Sequence, residues 1–234
     1  MPQPPSTFLE SAESLGIAFD DGDLDRFGAY LDALLEANTR FNLTAIRDPD
    51  EAWTRHILDA LTLLPLVSTL ADGDRVADVG SGGGAPGIPL AIASPQLQFT
   101  LVESTGKKAA FLREVVASLG LEHVAVVNDR AETVGRAPDW RDQHAAATAR
   151  ALGPLRTALE LVMPLVRPGG IGLFVKGAKA DEEIEASAKA LRELRCDVVD
   201  VVQTPTGRIV VVEKTAPTPR TYPRRPGEPK REPL

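Results

Sequence analysis

Val76-Ala77-Asp78-Val79-Gly80-Ser81-Gly82-Gly83-Gly84-Ala85-Pro86-Gly87 runs from a short apolar segment through an acidic residue into a glycine loop, and closes on a proline. Backbone without Cβ atoms tolerates φ > 0 and lets a ligand approach the main chain closely. Pro86 suits the first position of a helix, where its missing N–H is not needed. A strand, a glycine loop and a helix in that order form a nucleotide site at the carboxyl edge of an α/β sheet.

Downstream of Asp74, short apolar runs alternate with amphipathic stretches. Strands are expected at Arg75–Val79, Gln98–Val102, Val124–Val127, Ala145–Thr148 and Ile171–Val175, with Gly169-Gly170 as a turn before the fifth. Helices are expected to start near Pro86, Gly106, Gly153 and Ala178. This alternation implies right-handed βαβ units and a mainly parallel sheet. Asp197–Gln203 and Arg208–Lys214, separated by Thr204-Pro205-Thr206-Gly207, read as a terminal hairpin, so at least one strand is antiparallel.

Upstream, residues 1–65 read as helices. Leu24, Phe27, Leu31, Leu34 and Leu35 share one face over Asp23–Thr39, and Trp53, Ile57, Leu58 and Leu61 recur at helical spacing over Glu51–Leu64. Phe41–Pro49 connects the two. Past Lys214, six prolines between Pro217 and Pro233 predict an extended tail. The chain thus divides into an N-terminal helical extension (1–70), a nucleotide-binding domain (71–215) and an extended, basic, proline-rich tail (216–234).

With 234 residues, 43% of them hydrophobic, the chain can bury one large α/β core and an appendage. No apolar run is long enough to span a bilayer, and Met1-Pro2-Gln3-Pro4-Pro5 lacks the basic-then-apolar layout of a secretory signal, so a cytoplasmic, non-membrane protein is expected. The single cysteine, Cys196, excludes an intramolecular disulfide framework and a cysteine-rich zinc site, and no metal is expected. The formal charge is −7, yet Lys214–Leu234 carries six basic residues against Glu228 and Glu232. An acidic body with a basic end points to an anionic partner for that end, or to a solvated terminus.

Gly82-Gly83-Gly84-Ala85-Pro86-Gly87 matches G-x-G-x-x-G, which alone also fits a dinucleotide dehydrogenase. Glu103, ending the second strand, can accept from both ribose hydroxyls of either NAD or S-adenosylmethionine. Three features favour S-adenosylmethionine. A carboxylate at Asp78 faces a cationic group such as a methionine ammonium, whereas it repels a pyrophosphate. About 70 residues of helix precede the first strand. The terminal hairpin is absent from the usual dinucleotide fold. Against this stands the reading of Asp78 as a strand-end residue bonded to backbone. Asn128-Asp129-Arg130-Ala131-Glu132 after the third strand and Arg150-Ala151 after the fourth complete the pocket, or else Glu132 and Arg150 form an ordinary salt bridge.

The chain closely resembles the bacterial small-subunit rRNA (guanine-N7) methyltransferases, the RsmG or GidB family. The likeness is carried by Phe41-Asn42-Leu43-Thr44-Ala45-Ile46-Arg47, Arg55-His56-Ile57-Leu58-Asp59, the glycine loop with Pro86-Gly87-Ile88-Pro89-Leu90, and Gly106-Lys107-Lys108 before Ala110-Phe111-Leu112. It continues through Arg130-Ala131-Glu132, Arg150-Ala151, Arg167-Pro168-Gly169-Gly170, Lys176-Gly177 and Tyr222-Pro223-Arg224-Arg225. Each motif is weak alone; the ordered set is specific. The resemblance implies a class I (Rossmann-like) methyltransferase sheet, S-adenosyl-L-methionine as donor, and N7 of one guanine of 16S rRNA, position 527 in standard rRNA numbering, as acceptor. It places donor contacts on Gly80, Ala85, Ala131, Glu132 and Arg150, beside Asp78, Gly82 and Glu103 from the motif itself. Ala85 departs from the family, which usually carries a large apolar residue there, and Gly83 loosens the loop.

Guanine N7 offers a lone pair and has no proton to lose, so alignment rather than a general base is required. No catalytic residue is assigned. No Asn/Asp-Pro-Pro-aromatic segment is present, and Cys196 lies away from the pocket edge. His56, between Arg55 and Asp59, reads more readily as a packing histidine than as a catalytic one, and His123 and His144 as structural. Trp53 is expected in the core and Trp140 exposed in a polar loop. RNA phosphates would be met by Lys107, Lys108, Lys176, Arg220, Arg224 and Arg225, although Lys107 and Lys108 also fit a solvated helix face. The expected partner is 16S rRNA within a 30S subunit or assembly intermediate, with no obligate protein partner. A class I methyltransferase on a small molecule or another RNA, a NAD-dependent oxidoreductase and a non-enzymatic RNA-binding protein are the rival readings.

Overall fold

A computed structural model describes residues 2–234. Seven strands form one sheet: β1 (Arg75–Val79), β2 (Gln98–Val102), β3 (Val124–Val127), β4 (His144–Arg150), β5 (Val166–Lys176), β6 (Cys196–Thr204) and β7 (Gly207–Lys214), in the order β3-β2-β1-β4-β5-β7-β6. The first five run parallel, and β7 inserts antiparallel between β5 and β6. The hairpin is therefore an integral part of the sheet. The order reverses between β1 and β4, which opens a crevice at their carboxyl ends.

β1 to β3 have the bounds read from sequence; β4 and β5 are longer. Gly169-Gly170 was expected to be a turn, but it continues β5, with Gly169 at φ +79° and a register irregularity opposite His144 and Ala146. The glycines let the strand bend without leaving the ladder. The helix after the glycine loop is Gly87–Ala93, with Pro86 at its N-cap after a cis Ala85–Pro86 bond, one position off the expected first helical residue.

Alternation along the strands sends side chains to opposite faces. Val76, Leu101 and Leu173 join one buried cluster with Phe8, Phe27, Leu31, Leu34, Trp53 and Ile57 of the N-terminal helices. Ala77, Val79, Phe174 and Val210 join the other with Leu159 and Val162 of the helix Leu155–Val162. The helical extension is thus one wall of the core. Trp53 is buried as expected, whereas Trp140 is partly covered, stacked on His144 at 6.2 Å.

From Pro49 the chain enters helix through an Asp48 side chain that accepts from Glu51 N–H (2.8 Å). It widens into a π turn over Trp53–Leu58 before resuming as Asp59–Leu61. Among the described residues, no helix is long and apolar enough to cross a membrane.

The tail is docked. Arg141 donates to the carbonyls of Thr218, Pro219 and Tyr222, and Arg136 to those of Thr221 and Pro223. Pro223, Pro229 and Leu234 are buried, and Glu228–Arg231 forms one helical turn. Proline removes backbone donors, so side-chain guanidiniums supply the hydrogen bonds that bind this strap down.

Candidate functional site

Asp78 sits at the switch point, 1% exposed. Its Oδ1 accepts from the Thr148 hydroxyl (2.9 Å) and its Oδ2 from Gly87 N–H (3.3 Å), which is the reading of a strand-end residue bonded to backbone. Burial pushes its carboxyl up to about 6, against hydrogen bonds from Thr148, Ser81 and Gly87 and the charge of Arg150. A buried carboxylate with so raised a proton affinity is poised for a cation. A Cβ on Gly87 would lie 2.8 Å from Asp78 Oδ2 and collide with Leu101, so only glycine fits where the loop turns over the carboxylate. Gly80 adopts φ +77° and a Cβ there would meet Leu152. From the helical extension, the Tyr30 hydroxyl donates to the Gly83 carbonyl (3.0 Å), fixing a loop that three consecutive glycines would otherwise leave loose.

Glu103, also buried, ties the first two loops together: its oxygens accept from Gly82 N–H (2.9 Å) and Thr105 N–H (2.6 Å). Each oxygen keeps a lone pair for a ribose hydroxyl. Asn128 donates to the Glu103 carbonyl (2.8 Å), which aligns the loop after β3 with that after β2. Ala131 and Glu132 open the helix Ala131–Val134 at the same edge. The Glu132 side chain turns away, accepting from Arg130 (3.0 Å) and from Gly227 N–H of the strap (2.7 Å). Burial opposes its charge, and these bonds hold its carboxyl below the usual range. It makes no salt bridge with Arg150.

Arg150 instead turns toward the helical extension. Nη1 donates to Asp59 Oδ2 (3.0 Å) and to the Arg55 carbonyl (2.6 Å), and Nη2 lies 3.2 Å from His56 Nδ1. Burial and the Arg150 charge push the His56 imidazolium down to about 4, so the ring is neutral at pH 7. A guanidinium only donates, so Nδ1 accepts and Nε2 carries the proton, which Thr44 Oγ1 receives at 3.0 Å. Asp59 Oδ1 accepts a short hydrogen bond from Thr206, in the β6–β7 turn. A polar cleft of about 410 Å³ opens here, lined by Arg55, His56, Asp59, Arg150, Lys176 and Thr206 among others. The π turn, Asp59 and Thr206 carried no role in the sequence reading. A helical pattern does not show where a helix widens, and only the sheet order brings the β6–β7 turn beside β5.

The cations read as RNA contacts separate into two groups. Lys107 is exposed and Lys108 half-buried, next to the edge, and Arg220 and Arg225 are exposed on the strap. Lys176 is held by the Gly153 carbonyl (2.7 Å) and Glu183 (2.8 Å). Arg224 clasps Glu160 through its backbone N–H and its guanidinium. Their hydrogen bonds are spent inside the protein, which fits structural ties better than RNA contacts. Cys196 is buried at the opposite edge, its thiol pushed up to about 12 by burial. His123 and His144 bond backbone carbonyls, as structural histidines do.

An open sheet of this order, with a glycine loop after β1, an acidic residue ending β2 and an inserted antiparallel strand, defines the class I S-adenosylmethionine-dependent methyltransferases. Solved structures agree on the fold. An O-methyltransferase from Bacillus cereus in complex with SAH superposes with a TM-score of 0.58 at 15% identity, covering 90% of this chain and 97% of its own. A ribosomal protein L11 methylase from Lactobacillus delbrueckii subsp. bulgaricus gives 0.51 at 16%, covering 66% and 77%. Residues 23–210 match the family described as GidB, rRNA small subunit methyltransferase G. Proteins named ribosomal RNA small subunit methyltransferase G are 47% identical in Sorangium cellulosum, over 95% of this chain and 92% of theirs, and 44% identical in Roseiflexus castenholzii, over 97% and 98%. The chain belongs to the rRNA small subunit methyltransferase G family.

Proposed function

We propose that this protein methylates N7 of a single guanine of 16S rRNA, position 527 in standard rRNA numbering, within the small subunit or its assembly intermediate. S-adenosyl-L-methionine, when bound, supplies an electrophilic methyl on a sulfonium. Asp78 and the loop from Gly80 through Gly82 to Ala85 would hold its methionine end, Glu103 its ribose, and the backbone at Ala131 and Glu132 its adenine. The buried carboxylates and the close-packed glycines fit such a cationic nucleoside. Arg150, a donor contact by the family resemblance, stands at the seam between this half of the edge and the cleft.

The guanine N7 lone pair forms the new bond to carbon as the carbon–sulfur bond breaks, and no proton moves. The observation that best supports this chemistry is the state of His56. It is the titratable group of the cleft nearest neutrality by nature, yet it is held neutral with both nitrogens engaged, so the imidazole is not free to act as a base. The protein therefore contributes alignment and electrostatics. Exposed Lys107, Arg220 and Arg225 would meet phosphates, while the acidic remainder of the chain disfavours indiscriminate RNA binding.

Mapping N7-methylguanosine in 16S rRNA from cells with and without the protein tests this reading. Loss of one modification, restored by the wild-type chain but not by Asp78→Ala, is expected. Unchanged rRNA would point to a different acceptor. With saturating S-adenosylmethionine, a rate constant flat between about pH 6 and 9 is expected as well, and one steep ionisation within that range would contradict the base-free mechanism.

A further inference from the structure

Apart from Arg150 at the end of β4, the donor residues lie on the β1–β2–β3 half of the carboxyl edge. The cleft lies over the other half, at the ends of β4 and β5. Its volume of about 410 Å³ falls within the range of small-ligand sites, about 300–1,000 Å³. Its floor is an ion pair, Arg150 beside Asp59. Both groups are fixed by protein contacts: Arg150 by His56 and the Arg55 carbonyl, Asp59 by Thr206. Even so, among the described residues the Arg150 Nε–H and one Nη2–H have no partner, and each Asp59 oxygen accepts only one hydrogen bond.

We propose that this cleft receives the acceptor base and that the Asp59–Arg150 pair reads its Watson–Crick edge as guanine. The inference rests on the methyltransferase reading above. Guanine presents O6 as an acceptor next to N1–H and the 2-amino group as donors, which complements a guanidinium set beside a carboxylate. Adenine presents the reverse polarity, and a site built for one edge rejects the other because its buried polar groups are left unpaired. Uracil shares the first two groups but lacks the amine. With that edge on the floor, N7 lies on the far side of O6, free for attack.

The pair also acts during the reaction. Alkylation at N7 makes the ring cationic and its N1–H more acidic, so the bond to Asp59 tightens as charge develops, a contact stronger in the transition state than before it. A neutral His56 adds no repulsion to the cationic product. Arg55, exposed at the cleft and without a side-chain partner among the described residues, is placed for the phosphate of the same nucleotide.

The test titrates GMP, IMP and AMP into the full-length protein saturated with S-adenosylhomocysteine, which keeps nucleotides out of the donor half. Calorimetry reads affinity, and NMR follows the Arg150 Nε and His56 ring signals. GMP is expected to bind at least tenfold more tightly than AMP, with IMP between them, and to shift both signals. Equal affinities, no GMP binding, or shifts confined to other residues would overturn the assignment. Asp59→Asn should bring GMP and AMP to near parity and lower kcat on small subunits at least tenfold. An Asp59→Asn variant that methylates like wild type overturns the assignment. If that variant does not fold, the three nucleotides on the wild-type chain decide alone. Wild-type methylation of the guanine without GMP preference refutes the cleft only. GMP preference without any rRNA methylation refutes the proposed function and leaves the cleft standing.

Discussion

Replacing Arg224 by alanine separates two roles that a basic tail residue can have. In the structure Glu160 is fully buried, and its two oxygens accept the Arg224 backbone N–H (2.8 Å), Nε (2.9 and 3.1 Å) and Nη2 (2.6 Å). Truncation leaves a buried carboxylate with at most the backbone bond. Breaking a buried pair from one side costs about 3–5 kcal/mol, and the surviving backbone bond puts Arg224→Ala near the lower end. For a chain of this length about 3 kcal/mol lowers Tm by about 6–12 °C. Glu160→Gln should cost less, about 1–2 kcal/mol, because Arg224 retains 18% side-chain exposure and can rehydrate. The double variant should be less destabilised than the sum of the two singles, since the second change removes the orphaned charge. Urea denaturation followed by circular dichroism and tryptophan fluorescence measures all three. A loss under about 1 kcal/mol for Arg224→Ala, together with weakened subunit methylation, would refute the reasoning and return Arg224 to the RNA-binding surface.

Other outcomes follow from the same contacts. Asp78→Asn should weaken S-adenosylmethionine binding at least a hundredfold by calorimetry, while the ligand-free protein melts no lower at pH 8, because the buried charge is gone. Its sign with pH is fixed by a carboxyl raised from 3.8 to about 6. Ligand-free wild type loses about 3 kcal/mol of stability from this group as pH rises through that window, and donor affinity falls as pH drops below about 6. A donor Kd flat from pH 5 to 8 would contradict this. His56 and His144 are both pushed down from 6.5 to about 4, so the stability they contribute is complete above 6.5 and lost as pH falls toward 4. Replacing His56 by Gln should flatten that acid limb in a pH-dependent melt. Gly87→Ala should abolish donor binding through the clash with Asp78 and Leu101; near-normal affinity would show that the loop can shift. Arg220→Ala with Arg225→Ala should leave Tm within about 1 °C and reduce the salt dependence of subunit binding by about two counterions.

How far the sequence could be read depended on the range of each interaction. Strands β1 to β3 and the helix Gly106–Ser118 were legible because alternation and apolar runs are local, and so was Glu103, whose place at the end of β2 follows from counting. Reading the hairpin correctly required only a turn signal between two β-rich runs. What escaped was fixed by contacts distant in sequence. Proline content predicted an extended tail, yet Arg136 and Arg141, more than 70 residues earlier, hold it against the protein. Charge pattern alone cannot tell Arg224, bound to Glu160, from its neighbour Arg225, exposed to solvent.

The same limit explains the candidate site. The glycine loop over Asp78, where we place the donor, was legible because one contiguous segment, Asp78 to Gly87, carries its glycines and its carboxylate. The cleft proposed for the acceptor is assembled from pieces that no local pattern joins: Asp59 after a π turn, Arg150 at the end of β4, and Thr206 in a turn that reaches the cleft only because β7 inserts between β5 and β6. The helical extension therefore does more than cover apolar surface. Its Tyr30 fixes the glycine loop and its Arg55–Asp59 stretch fixes Arg150, so one layer positions both halves of the edge. The proposed methyl transfer, which uses no general base, depends on the relative placement of two bound groups, and a shared wall is the part of this fold able to set it.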